Sequence, residues 1–306
     1  MATFLDGAVT VSVPATSANL GPGFDALGLA LNLRDRVTAQ VSNELVEGTV
    51  RITVAGAGEG TVPLDGDHLV YRSMLRAFEH MGCPVPAIRL HCDNVIPHGR
   101  GLGSSSAAIV AGVCAARGLV AGGSLLMDDE SVFDLAASIE GHPDNVAPAL
   151  FGGFTIAYAD GGRFRATGVA VDPRVQAVVF VPPDPVETTV ARGLLPDAVP
   201  HREAAANAGR AALLVAALAR QPELLFAATE DHLHQTYREP AMPATLALVR
   251  ELRSKQLPAV VSGAGPTVLV LTDASEREAV ATHAPDGWEV LMLAVDPEGV
   301  KVELPG

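Results

Sequence analysis

Pro97-His98-Gly99-Arg100-Gly101-Leu102-Gly103-Ser104-Ser105-Ser106-Ala107 is the stretch that decides the fold. Glycines alternate with other residues, serines follow, and the chain runs on through Ala107-Ala108-Ile109-Val110-Ala111-Gly112-Val113-Cys114-Ala115-Ala116, a series of small, mostly apolar residues. Glycine lets backbone N–H groups converge on one point and lets a bulky ligand come close. The apolar run predicts a buried helix with the serines at its N-terminus, where unpaired N–H groups and the positive dipole end attract an anion. Loop, hydroxyls and helix start together make a phosphate cradle. Spacing excludes its two commonest forms. A P-loop needs a lysine after its second glycine, and the only lysines here are Lys255 and Lys301. A Rossmann turn needs G-x-G-x-x-G, and here the pattern is G-x-G-x-G. Taken alone, the stretch also fits a tight turn capped by serine.

The 306 residues allow one large or two moderate domains, and with 48% hydrophobic residues the chain can bury a large core. A formal net charge of −14 argues against a nucleic-acid surface, which needs a basic face. Nucleotide binding remains open, because local N–H dipoles, arginines and a metal ion can override the global field. Cys83, Cys92 and Cys114 are odd in number and lack CxxC spacing, which predicts reduced thiols in the cytoplasm. The first arginine is Arg34, so the start of the chain does not read as a signal peptide. Arg117 and several glycines interrupt the longest apolar stretch, Ala107 to Met127, so no membrane span is expected.

Working outward from the cradle, residues 9–13 alternate as a strand expected to end at Pro14. The glycine-rich segment Ala15–Gly28 then reads as an irregular loop, in which Asn19 and Asp25 can recognise hydroxyl and ammonium groups, or simply form turns. Strands are expected over 37–41, 50–54 and 87–92, with a helix over 68–81. A second helix, 128–139, closes on Glu140-Gly141-His142-Pro143-Asp144-Asn145. Glu140 there suits Mg²⁺, which takes one or two carboxylates plus phosphate oxygens, and a cradle serine can complete the sphere. Strands 154–158 and 176–181 flank the expected domain division, residues 1–165 and 166–306. After Pro182-Pro183-Asp184-Pro185, Arg192 can clamp a carboxylate. Residues 202–255 read as helical, in pieces over 204–220, 222–237 and 242–255, with Arg238 at a helix end before Pro240. A glycine hairpin, Gly263-Ala264-Gly265-Pro266, joins two strands, and strands over 288–294 and 300–304 close the chain.

Pro14–Gly28, Pro97–Ala107 and Val261–Thr267 together resemble the three signature motifs of the GHMP kinase superfamily. Within it, the chain is most similar to the homoserine kinase family. The carriers are Pro14–Asp25, Gly141–Ala149, Thr188 with Arg192 before Leu195-Pro196, and His234-Gln235-Thr236-Tyr237-Arg238. The resemblance implies an α+β fold with a ribosomal-protein-S5-like N-terminal half and a ferredoxin-like C-terminal half. It implies ATP and Mg²⁺, and phosphate transfer to the side-chain hydroxyl of L-homoserine on the route to threonine. Carried over by position, Pro97, His98, Gly99, Arg100, Gly101, Leu102, Gly103, Ser104, Ser105, Ser106 and Ala107 hold the triphosphate, with Ser105 and Glu140 on the metal. Asn19, Asp25, His142, Thr188, Arg192 and Arg238 line the amino-acid site, the arginines toward its carboxylate and Asp25 toward its ammonium, and Gly263 and Gly265 close it. Glu140, Asp144 and Arg192 serve catalysis, Asp144 electrostatically if at all. No nucleic-acid or membrane partner is expected. A homodimer is compatible with the sequence, which carries no signal of oligomeric state.

Overall fold

The computed structural model describes residues 3–305. It opens on a long hairpin, β1 (Ala8–Asn19) and β2 (Gly23–Val41). Pro14 was expected to end the first strand. Instead the strand continues, because the register shifts between Pro14 and Ala15 and the bulge absorbs the missing N–H. The expected irregular loop is therefore two strand ends and a tight turn. Three non-glycine residues at or beside that turn adopt the left-handed region: Asn19, Leu20 and, two residues into β2, Asp25.

Next come β3 (Val50–Gly56), α1 (Leu69–His80) and β4 (Ile88–Asn94), with β3 and β4 parallel across the helix. They are followed by α2 (Ser104–Leu119), α3 (Gly123–Leu126), α4 (Asp129–Glu140), α5 (Val146–Phe151), β5 (Phe154–Asp160) and β6 (Arg163–Val169). The predicted buried helix is α2, whose small residues let it pack against β1, β2, α1 and α4 at once. Gly112 shows how close that packing is: a Cβ there would lie 2.3 Å from the Val70 carbonyl.

The second half contains β7 (Val175–Val181), α6 (Thr188–Gly193), α7 (His201–Arg220), α8 (Leu225–Ala228), α9 (Pro243–Ser254), β8 (Ala259–Val261), β9 (Val268–Asp273), α10 (Arg277–Ala281) and β10 (Glu289–Ala294). Its sheet runs β10-β7-β9-β8, all antiparallel. Numbered within the half, that order is 4-1-3-2 with helices after the first and third strands, the ferredoxin-like arrangement expected. β7 is buried on both faces. Ala177, Val179 and Val181 join the main core with α2 and the long hairpin, while Val178 and Phe180 pack in a second cluster with Leu246, Val249 and Leu252 of α9.

The last described strand is β11 (Lys301–Glu303), which leaves the second half and pairs antiparallel with β1, completing a seven-stranded sheet ordered β11-β1-β2-β4-β3, with β5 paired to β2 and β6 to β5. A division at residue 165 would cut β6, which lies wholly in this sheet; one after Val169 keeps every strand whole. Of the helical pieces expected over 202–255, the one over 222–237 is interrupted. Asp231 accepts N–H bonds from Leu233, His234 and Gln235 at 2.8–3.1 Å, replacing the helical carbonyls as acceptors. A 3₁₀ turn, Thr236–Ala241, follows. All three cysteines are free thiols. Among the described residues, no helix is long and apolar enough to cross a membrane.

Candidate active site

The cradle lies where α2 begins. Gly99, Gly101 and Gly103 have φ of 64°, 75° and 72°, a left-handed course that turns the loop around the helix start. No side chain can replace two of these hydrogens. A Cβ on Gly101 would lie 2.4 Å from the Ser262 carbonyl, and one on Gly103 would lie 1.9 Å from Thr16 Oγ1. The loop is tied to both other glycine motifs. Thr16 N–H donates to the Leu102 carbonyl at 3.0 Å, and Ser262 Oγ donates to the Gly101 carbonyl at 2.6 Å. The three motifs therefore meet in space.

Between them is a cavity of about 120 Å³. Gly99, Gly101, Gly103, Ser104, Ser105 and Glu140 line it, together with Asn19, Thr188, Arg192, Arg238 and Gly263; His142 and Asp144 also line it. Ser105 Oγ donates to Glu140 Oε1, and Ser106 Oγ reaches the same oxygen at 2.9 Å. α4 delivers Glu140 as its last residue, and Gly141 in the left-handed region ends the helix there.

His142 Nδ1 meets Asp144 Oδ1 at 2.7 Å, and its Nε2 lies 3.9 Å from Glu140 Oε1. Burial, the largest influence, would lower the His142 pKa. The hydrogen bond and charge of Asp144, aided by Glu140, outweigh it and raise the pKa.

Arg192 and Asp25 form a two-bond fork, at 2.6 and 3.1 Å. The roles expected for them were opposite ends of a substrate; the structure joins them to each other, and Asp25 sits beside the cavity rather than in its wall. That hydrogen bond raises the Arg192 pKa. Arg238 is only 1% exposed. Its NH1 donates to the Gly263 carbonyl at 3.1 Å and meets His234 Nδ1 at 2.9 Å, and its Nε has no partner. Burial, and then the charge of Arg192, push its pKa down to about 10. His234 Nε2 meets the Gly21 carbonyl at 2.7 Å, so Nε2 carries the proton and Nδ1 accepts from Arg238. Phe24 was missed in the sequence. Its ring lies 5.5 and 5.6 Å from the Arg192 and Arg238 guanidinium carbons, and an aromatic in a turn gives no warning of that role.

Other expected residues are placed differently. Asn19 lines the cavity, but its amide is engaged, donating to Gly263 O at 2.8 Å and accepting Asp25 N–H at 3.0 Å. Leu102 is core. Gly265 lies against Met242 and Val261. Pro97 lines neither this cavity nor its neighbour, and the Arg100 guanidinium is spent on backbone carbonyls. His98 and Ala107 line an adjoining, largely apolar cavity of about 310 Å³, which shares Ser104 and Ser105 with the first. Asn145, inside the hexapeptide already singled out, was also missed: it lines the cavity and accepts from Thr16 Oγ1 at 2.8 Å.

Comparison with known proteins agrees with this geometry. Residues 68–153 match the GHMP kinases N terminal domain, and residues 204–289 match the GHMP kinases C terminal domain. A homoserine kinase of Streptomyces avermitilis is 54% identical over 299 residues, covering 98% of this chain and 97% of the relative. One of Clavibacter michiganensis subsp. michiganensis is 50% identical over 301 residues, covering 97% and 94%. The crystal structure of homoserine kinase from Cytophaga hutchinsonii superposes with a TM-score of 0.85 at 28% identity, covering 98% of this chain and 99% of that one. This chain belongs to the homoserine kinase family of the GHMP kinases.

Proposed function

We propose that the chain transfers the γ-phosphoryl group of ATP to the side-chain hydroxyl of L-homoserine. One observation carries the reading beyond family membership. A single cavity is lined both by a helix N-terminus with its oxygen cluster and by two arginines. The helix start suits phosphates and the arginines suit an amino-acid carboxylate. Arg238 fits best, as a buried guanidinium with a donor still unpartnered. The adjoining apolar cavity suits the nucleoside part of ATP.

Ser105, Ser106 and Glu140 fit Mg²⁺. They are hard oxygen donors with a single carboxylate among them, and Mg²⁺ completes such a set with water and phosphate oxygens. When bound, the ion would neutralise charge on the transferring phosphoryl group. The protein's own share is positioning: the loop amides fix the phosphates, Arg192 and Arg238 fix the carboxylate, and Asp25 orients Arg192 through their two-bond fork. Holding both reactants in line supplies much of the acceleration in phosphoryl transfer. Asp144 is bonded to His142 and to the Asn145 N–H, which suits orientation of His142 rather than attack on a hydroxyl proton.

An ADP-release assay with Mg·ATP against a panel of amino alcohols, amino acids and sugar alcohols tests the reading. L-homoserine is expected to give the highest kcat/KM, with O-phosphohomoserine as product. A higher value for an uncharged sugar alcohol would overturn it.

A further inference from the structure

Arg100 sits in the middle of the glycine loop, yet it does not line the cavity. Its Nε donates to the Pro182 carbonyl at 3.0 Å, NH1 to the His98 carbonyl at 3.1 Å, and NH2 to the Pro183 carbonyl. A second tie lies beside it: Val186 N–H donates to the Gly99 carbonyl at 3.1 Å. The segment Pro182–Val186 is thus fastened to the phosphate loop at two points. Its prolines at 182, 183 and 185 have fixed φ and no N–H, so the segment is a stiff strap that makes few bonds of its own. Two residues beyond it, α6 begins with Thr188 and carries Arg192, and both line the cavity. A planar guanidinium can span adjacent carbonyls as a fork, which an ammonium point charge cannot.

We propose that Arg100 is a positioning residue: it locks the strap, and through it Thr188 and Arg192 of α6, to the phosphate loop. It binds no phosphate itself. A loop ordered around ATP then presets Thr188 and Arg192, with Arg100 as the side chain that couples the strap to the loop. This inference rests on the proposed activity for its kinetic readout, but not for its structural one.

The test uses the full chain with Arg100→Gln and Arg100→Lys, measuring Mg·ATP affinity by calorimetry, steady-state kinetics, and hydrogen exchange at residues 186–193. In both variants the KM for L-homoserine should rise ~10-fold or more with kcat within ~3-fold, because the binding wall is displaced while the phosphate contacts stay. Mg·ATP affinity should stay within ~2-fold of wild type, and the amides of residues 186–193 should exchange faster. An Mg·ATP affinity at least ~10-fold weaker with an unchanged homoserine KM would make Arg100 a phosphate ligand and overturn the proposal. So would full recovery in the lysine variant, or exchange at 186–193 identical to wild type. If the glutamine variant does not fold, the lysine variant carries the same comparison. If wild type binds Mg·ATP but leaves L-homoserine untouched, the assigned reaction fails, while hydrogen exchange still decides the strap.

Discussion

At the residue scale, the site depends on oxygen atoms gathered at one point. Replacing Glu140 by Gln removes the carboxylate that meets both Ser105 and Ser106. Mg·ATP turnover should fall ~10²–10³-fold with little change in folding, read as kcat at saturating Mg²⁺. Ser105→Ala should lower turnover in the same direction but less. Asp35 has an unusual pH behaviour. Burial raises its pKa to about 6, against the opposing pull of N–H donors from Ile96 and Val95. An acid whose folded pKa lies above its unfolded value of 3.8 costs stability once ionised, so this contribution is lost as pH rises from about 4 to about 6. Asp35→Asn keeps an acceptor for both N–H groups without the charge. At pH 7 it should therefore be more stable than wild type, by on the order of 2–3 kcal/mol at most. The gap should close toward pH 4 in denaturant titrations. A gap independent of pH would refute the burial argument.

At the element scale, the loop and the start of α2 act together. Gly101→Ala places a methyl group against the Ser262 and Gly265 carbonyls in a left-handed conformation. It should destabilise the protein by ~1–3 kcal/mol and weaken Mg·ATP binding at least ~10-fold by calorimetry. The loop and α2 were legible because glycine spacing and a small apolar run are local signals. The segment from Thr229 to Ala241 was not, since its composition is amphipathic and helical. What breaks the helix there is one carboxylate that outcompetes it: Asp231 holds three successive N–H groups, and this brings His234 under Arg238. Asp231→Ala should cost ~1–3 kcal/mol, seen as a lower Tm, and should also raise the KM for the amino-acid substrate through Arg238. Pro14 misled for a related reason. A proline predicts the end of a strand unless a bulge takes it up, and the bulge depends on the partner strand.

At the scale of the whole molecule, the ferredoxin-like order of the second sheet and the grouping of the glycine motifs followed from the resemblance, whereas the Asp25–Arg192 fork required coordinates. Charges 167 residues apart pair only because α6 is brought over the β1–β2 turn. The division between halves was also only partly legible, because β11 is three residues long and its partner lies at the other end of the chain. Deleting residues 300–305 should expose the edge of β1, lower Tm by several degrees, and promote aggregation measurable by light scattering.

β11 also constrains how the protein is made. Within the described residues, the N-terminal sheet opens with β1 and gains its edge strand only from β11, which lies beyond the whole second sheet in the chain. Its amino-terminal edge stays unpaired through synthesis of everything between, including an entire second sheet. Gly7 lies against Pro305, so the two ends of the described chain adjoin. The nucleotide-side scaffold is therefore complete only once β11 has docked, and until then an open strand edge has to be kept from other chains.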